Sequence, residues 1–258
     1  MAWGYDNIPD QSGKVILVTG ANSGIGFATA QALAAKKARV VLACRNLVKG
    51  NTAIATIKSR QPDADVTVEQ LDIANLESIH AFAEKFVREF TQLDVLINNA
   101  GVMMPAYTRT QDDFELQFAT NVLGPFALTG LLLSLLVKTP SARVVTVSSM
   151  AHWLGKVDFS NLNAEKSYRR FPAYAQSKLA VLMFAFELQR RLEKSHPAVS
   201  AIAVHPGVTY SDLARHSSLV RFIQPYVTQS TAAGALSSLM AATAPAVVGG
   251  DFIGPSGF

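Results

Sequence analysis

Apolar residues along this chain follow two rhythms. Short, nearly unbroken runs rich in Val, Ile and Leu alternate with longer stretches whose apolar positions recur at helical spacing. The runs Lys14–Thr19, Ala38–Ala43, Val66–Leu71, Leu93–Ile97, Arg143–Ser148 and Val199–His205 are expected strands, each apolar enough to be covered on both faces. Helices are expected at 24–36, 47–60, 75–90, 112–138 and 174–194. Another is expected at 230–243, and Asp251–Ile253 is a candidate last strand.

Strand–helix alternation with short connections implies right-handed crossovers and a parallel sheet. The expected fold is therefore α/β: a single Rossmann-type, three-layer domain over 1–258 with a doubly wound parallel sheet. Ligands of such sheets sit beyond the carboxyl ends of the strands. The residues that follow each run are thus where chemistry is to be sought.

Composition narrows the function classes. The chain has 258 residues, 49% hydrophobic and 16% charged, which suits one large core. A net charge of +4 is scattered in doublets such as Lys36-Lys37, Arg169-Arg170 and Arg190-Arg191, not drawn into the long basic stripe that nucleic acid requires. A single cysteine, Cys44, excludes an internal disulfide, and the five histidines lack HxxxH or HExxH spacing, so no metal site is expected. The N-terminus carries Asp6 and Asp10 and no apolar segment. Leu116–Val137 is free of charge but is interrupted by Gln117, Asn121, Pro125 and Gly130, so a buried helix is expected there, not a membrane span. A cytoplasmic protein is the expectation.

The first strand runs into Thr19-Gly20-Ala21-Asn22-Ser23-Gly24-Ile25-Gly26 at a helix start. Glycines allow a tight turn there and let a pyrophosphate approach the backbone and the helix N-terminus. The spacing is G-x-x-x-G-x-G, not the usual G-x-G-x-x-G, and taken alone it also fits an ordinary turn. The second strand ends in Cys44-Arg45-Asn46, with no Asp or Glu from Phe27 to Pro62. An acid at that point would select NAD through the ribose 2′-OH, whereas Arg45 suits a 2′-phosphate, so the expected cofactor is NADP(H). Asp72, with Ile73 beside it, is placed either to accept from an adenine amino group or to cap a helix.

Tyr174 and Lys178 lie four residues apart, hence on one helix face. A phenol titrates near ~10, and a neighbouring ammonium makes it a better acid–base catalyst. Ser148 and Ser149 end the fifth strand, where a hydroxyl could steady charge developing on a carbonyl oxygen. Met103 and Met104, then Met150, His152 and Trp153, start near this same end, and Tyr168 and Phe171 precede Tyr174. They read either as core or as an adaptable apolar pocket for a lipophilic carbonyl or alcohol.

Six pieces in order resemble the short-chain dehydrogenase/reductase family: TGANSGIG at Thr19–Gly26, NNAG at Asn98–Gly101, Asn121, Ser148-Ser149, YAQSK at Tyr174–Lys178 and HPG at His205–Gly207. The resemblance implies that Tyr174 is the general acid in reduction, and that Lys178 lowers its pKa and bonds the nicotinamide ribose. It further implies that Ser149 holds the carbonyl oxygen and that Asn121 holds a relay water. Asn99, Ala100 and Gly101 would line the adenosine ribose side. Pro206, Gly207 and Val208 would line the nicotinamide, with Ser211 or Thr209 bonding the carboxamide. Family members often pair through the two long helices into a homodimer or homotetramer, although retinol dehydrogenase-like members vary, so the resemblance leaves the oligomeric state open.

Within the family, LACRN at Leu42–Asn46, VSSMAHWLGKVDFSNL at Val147–Leu162 and GPSGF at Gly254–Phe258 resemble the retinol dehydrogenase-like branch. Membrane-bound members of that branch have an N-terminal apolar anchor not seen in these residues, and the segment after Ser211 is short. The expected activity is therefore reduction of a lipophilic aldehyde or ketone, retinal-like or otherwise. The alternatives are a silent NADP-binding sensor or scaffold, and an NAD-linked alcohol dehydrogenase.

Overall fold

The computed structural model describes residues 3–196, 198–207 and 230–255. Seven parallel strands form one sheet in the order β3-β2-β1-β4-β5-β6-β7. They are β1 (Val15–Thr19), β2 (Arg39–Cys44), β3 (Val66–Gln70), β4 (Val95–Asn98), β5 (Arg143–Val147), β6 (Ser200–Val204) and β7 (Phe252–Ile253). The order reverses between β1 and β4, which opens a crevice at their carboxyl ends.

Alternate residues of each strand feed two cores. Ile16, Val18, Val40, Leu42, Ile97 and Val145 pack toward α1 (Gly24–Ala35), α2 (Leu47–Arg60) and α6 (Thr231–Thr243). Leu17, Val41, Leu96 and Val144 pack on the other face with α3 (Leu76–Glu89), α4 (Leu116–Leu136) and α5 (Arg170–Ser195). This is the three-layer α/β fold expected from the chain, and it explains why the strands show no polar alternation.

Side chains set most helix starts. Asn46 accepts from Lys49 N at 2.9 Å, Asn75 from Ser78 N at 2.8 Å and Ser230 from Ala233 N at 3.1 Å. Two boundaries differ from expectation. α4 begins at Leu116, not near 112, because Thr110 N bonds Phe114 O in a turn and the Glu115 carboxylate then caps Gln117 N and Phe118 N. α5 begins one turn before Tyr174, at Arg170, with Pro172 tolerated in its first turn. Met150–Leu154 is a short 3-10 helix that the pattern of apolar positions did not announce.

Candidate active site

The cofactor end is built mostly from backbone. Gly20 and Gly24 hold φ of 65° and 58°, which glycine adopts without strain. A Cβ on Gly20 would sit 3.0 Å from the Ala100 Cα, and one on Gly26 would collide with the Asn99 amide and the Gly20 carbonyl. Thr19 joins the two loops: its Oγ1 accepts from Asn99 N and Ala100 N at 3.0 Å each, and Asn99 Nδ2 donates to Thr19 O at 2.7 Å. Asn99 thus braces the glycine turn, a role its motif alone did not assign. Ser23 precedes α1 without capping it by its side chain, while Asn22 and Ile25 are half-buried beside it.

This cradle fits a dinucleotide. The close approach of Gly20, Gly26 and Ala100 leaves bare backbone where a pyrophosphate needs it, at the N-terminus of a twelve-residue helix. Gly101 is closely approached likewise, since a Cβ there would lie 3.1 Å from Asn121 Oδ1 and 3.5 Å from Lys178 Nζ.

Arg45 follows β2 and is largely exposed, with Nη1 3.9 Å from Asp72 Oδ2. Asp72 also accepts from Ala74 N at 3.1 Å, and α3 is capped by Asn75, so Asp72 does not cap that helix. Ile73 is buried beneath Gly124 of α4. Pro206 and Gly207 follow β6, and Gly207 N donates to His205 Nδ1 at 3.3 Å. Val208, Thr209 and Ser211 lie outside the described residues.

At the catalytic end Tyr174 and Lys178 are both 4% exposed. The Lys178 ammonium lies 5.9 Å from the Tyr174 ring centroid and donates to Val147 O at 3.0 Å. Burial pulls the Lys178 pKa down to about 8. Burial also pushes the Tyr174 phenol above its ordinary value, and its hydrogen bond with Ser149 works in the opposite direction. Desolvation is the larger cause for each of these two buried groups. A phenol held up in this way keeps its proton.

The two serines part company. Ser148 Oγ donates to Lys178 O at 2.7 Å and ties β5 to α5, whereas Ser149 faces Tyr174 and accepts from Ala151 N at 3.2 Å. Asn121 lies in a π turn, Ala119–Leu123, inside α4. Its Nδ2 donates to Val102 O at 3.0 Å and to Ser177 Oγ at 2.9 Å, and its Oδ1 accepts from Val102 N at 2.9 Å. Both amide hydrogens are taken, so a water at this side chain can only donate to Oδ1.

The residues read as substrate-lining have unequal placements. Met103, Met104 and Met150 are half-buried, Phe171 is exposed, and Trp153 is 73% exposed and edge-on to His152. His152 Nδ1 bonds the Ser149 carbonyl at 2.6 Å, and its ring meets Phe252 of β7. The Tyr168 hydroxyl donates to Pro105 O at 2.9 Å and accepts from Gln117 Nε2 at 2.9 Å. Burial, aided by the nearby Glu115 carboxylate, drives the Tyr168 pKa up to about 12. Gln117 and Ser177 were not singled out from sequence. Ser177 stands inside the YAQSK motif, and Gln117 shows in the sequence as a polar interruption of the apolar run Leu116–Val137.

Comparison with known proteins agrees with this geometry. The sequence model described as short chain dehydrogenase matches residues 14–219. Retinol dehydrogenase 12 of Homo sapiens is 48% identical over 236 residues, covering 90% of this chain and 74% of that protein. Retinol dehydrogenase 11 of Homo sapiens is 48% identical over 211 residues, covering 82% and 66%. Among solved structures, an uncharacterized protein from Mycobacterium paratuberculosis superposes with a TM-score of 0.82 at 39% identity, covering 99% of this chain and 85% of that one. A short chain dehydrogenase from Escherichia coli CFT073, complexed with NADPH, shares the fold at 23% identity with a TM-score of 0.78, covering 96% and 99%.

These relatives correct one expectation. A cytoplasmic location was read from the lack of an apolar N-terminal segment. The similar proteins are retinol dehydrogenases, a branch with membrane-associated enzymes, and this chain spans only part of their length. Its own first residues therefore cannot carry the inference. Among the described residues one helix, Leu116–Leu136, is long and apolar enough to cross a membrane, although 61% of its apolar window is buried inside the fold. With the family model matched over most of its length and these relatives beside it, the chain belongs to the short-chain dehydrogenase/reductase family, in its retinol dehydrogenase-like branch.

Proposed function

We propose that the protein reduces a lipophilic aldehyde or ketone with NADPH, and that Asn121, Ser149, Tyr174 and Lys178 form its catalytic set. The observation that carries this reading is the Ser149 hydroxyl bonded to the buried Tyr174 phenol, with the buried Lys178 ammonium next to it. A bound nicotinamide supplies the hydride that forms the new C–H bond at the carbonyl carbon. Ser149 donates a hydrogen bond to the carbonyl oxygen and fixes its position. The Tyr174 phenol gives its proton to that oxygen as negative charge builds there, leaving a phenolate. Lys178 steadies the phenolate while charged, and Asn121 holds Val102 and Ser177 on either side.

Arg45 supports the choice of NADP(H), because its guanidinium stands at the end of β2 where, among the described residues, it makes a long, exposed contact to Asp72. A 2′-phosphate can compete for such a cation through charge-assisted hydrogen bonds. The half-buried methionines after NNAG and after Ser149 support an apolar substrate.

The test is NADPH consumption, followed at the nicotinamide absorbance, with aldehydes and ketones of increasing chain length and aromatic bulk. Activity should rise with apolar size. A preference for short sugars or keto acids would reject the lipophilic assignment, and no turnover with any carbonyl would reject the reaction.

A further inference from the structure

We propose that Gln117 is a positioning residue that sets the substrate-side wall, a counterpart on α4 to Asn121. The inference rests on the reductase reading above. Gln117 and Asn121 are four residues apart and so share a helix face. Asn121 holds Val102 through both its N–H and its carbonyl. Gln117 holds the residue two further along, accepting from Met104 N at 2.8 Å through Oε1. Two amides one turn apart thus grip the segment that leaves the NNAG motif.

Their other partners divide the work. Asn121 passes to Ser177, next to Lys178, and so braces the reacting groups. Gln117 Nε2 donates to the Tyr168 hydroxyl at 2.9 Å and to Arg170 O at 3.2 Å, the loop end and first residue of α5. Tyr168 in turn donates to Pro105 O, closing a ring of bonds through Met104, Pro105, Tyr168 and Gln117. The ring joins the two chain segments that carry Met103, Met104, Tyr168 and Phe171.

Two features show that this clamp holds something that would otherwise relax. Gln117 is fully buried, so each lost bond strands a polar group away from water. Met104 has φ of 53°, a left-handed conformation that costs a non-glycine residue on the order of 1 kcal/mol or more. Among the described residues, its N–H is held by the Gln117 oxygen. Glu115, buried and capping Gln117 N, fixes the turn from which the amide projects.

Gln117→Leu removes all three bonds, Gln117→Glu keeps an acceptor for Met104 N but loses both donor hydrogens, and Tyr168→Phe deletes the shared hydroxyl. With a long-chain or aromatic aldehyde, Gln117→Leu should raise KM about tenfold, the size expected for buried polar groups left unpaired. Values of kcat and NADPH affinity should stay within about twofold, and KM for a short aldehyde should barely move. Tyr168→Phe and Gln117→Glu should show part of the same size-dependent effect, and the Gln117→Leu/Tyr168→Phe double variant should be little worse than Gln117→Leu alone. A KM change equal for all substrates, a fall in kcat at constant KM, or additive single effects would overturn the proposal. Hydrogen exchange at the Met104 amide reads the clamp without catalysis: it should quicken in Gln117→Leu, or in Gln117→Met if Gln117→Leu does not fold. Unchanged exchange overturns the clamp. Loss of turnover in the wild type would instead reject the reductase reading, with exchange still deciding whether Gln117 holds Met104.

Discussion

The two ends of the site are held together by different means. At the adenosine end, glycines at 20, 24 and 26 and one threonine bring two neighbouring strand ends into contact, and most of what a ligand would meet there is backbone. At the catalytic end, side chains from 102–121, 148–152 and 163–178 reach one another over long stretches of sequence. The first arrangement depends on conformations that only certain residues adopt. The second depends on a set of mutually satisfied, buried polar bonds. Changes at the first end should therefore act on affinity, and changes at the second on rate, specificity and stability.

The largest expected effect lies at the catalytic end. Tyr174→Phe removes the phenol proton beside Ser149, so carbonyl reduction should fall by ~10² to 10⁴, as loss of general acid catalysis usually costs. NADPH affinity should be nearly unchanged, because the ring and its packing remain. Equal loss of cofactor binding would blur the distinction between the two ends.

Next comes Arg45→Asp at the adenosine end. It removes charge-assisted bonds worth about 1.5–3 kcal/mol each and places a carboxylate where the 2′-phosphate would lie. NADPH affinity should drop by roughly ten- to a thousandfold at ~1.4 kcal/mol per decade, with NADH far less affected. Titration of both cofactors against wild type and variant checks this. A variant that still prefers NADPH would show that the Arg45–Asp72 pair serves only the surface.

The smallest effect is one of stability and pH, and its sign is opposite to the usual one for a lost polar residue. Burial lowers the Lys178 pKa from 10.5 to about 8. Between those values the unfolded chain binds the extra proton, so stability should rise with pH across that window, and below pH 8 the full cost of the buried charge is present. That cost is on the order of 3 kcal/mol before the Val147 bond offsets part of it. Lys178→Met should therefore raise Tm at pH 7 by several degrees while reduction is lost. In the wild type, kcat for reduction should decline above about pH 8 as the ammonium that steadies the phenolate is lost. A lower Tm for the variant would mean that the Val147 contact outweighs desolvation.

The same contrast explains what could be read without coordinates. The strands, their parallel order and the glycine turn follow from local preferences: continuous apolar runs, residues free to adopt positive φ, and an uncapped helix start. The Tyr174–Lys178 spacing likewise needs only helix geometry. By contrast, α5 starts a turn earlier than its apolar rhythm suggests because Pro172 and two arginines hide its first turn. No spacing rule could tell Ser148 from Ser149, since both are small hydroxyls at a strand end and only packing sends one toward Lys178 O.

The sequence by itself determined the α/β sheet and the glycine-rich turn after β1, because each depends on a period or a backbone freedom carried by nearby residues. Only the tertiary structure decided that Thr19 joins the two cofactor loops and that Gln117 rings Met104, Pro105 and Tyr168. It alone decided too that Tyr174 is buried, which pushes its phenol above the ordinary value. Those outcomes depend on which polar atoms lose water together, and solvent exclusion is a property of the packed fold and of no single segment.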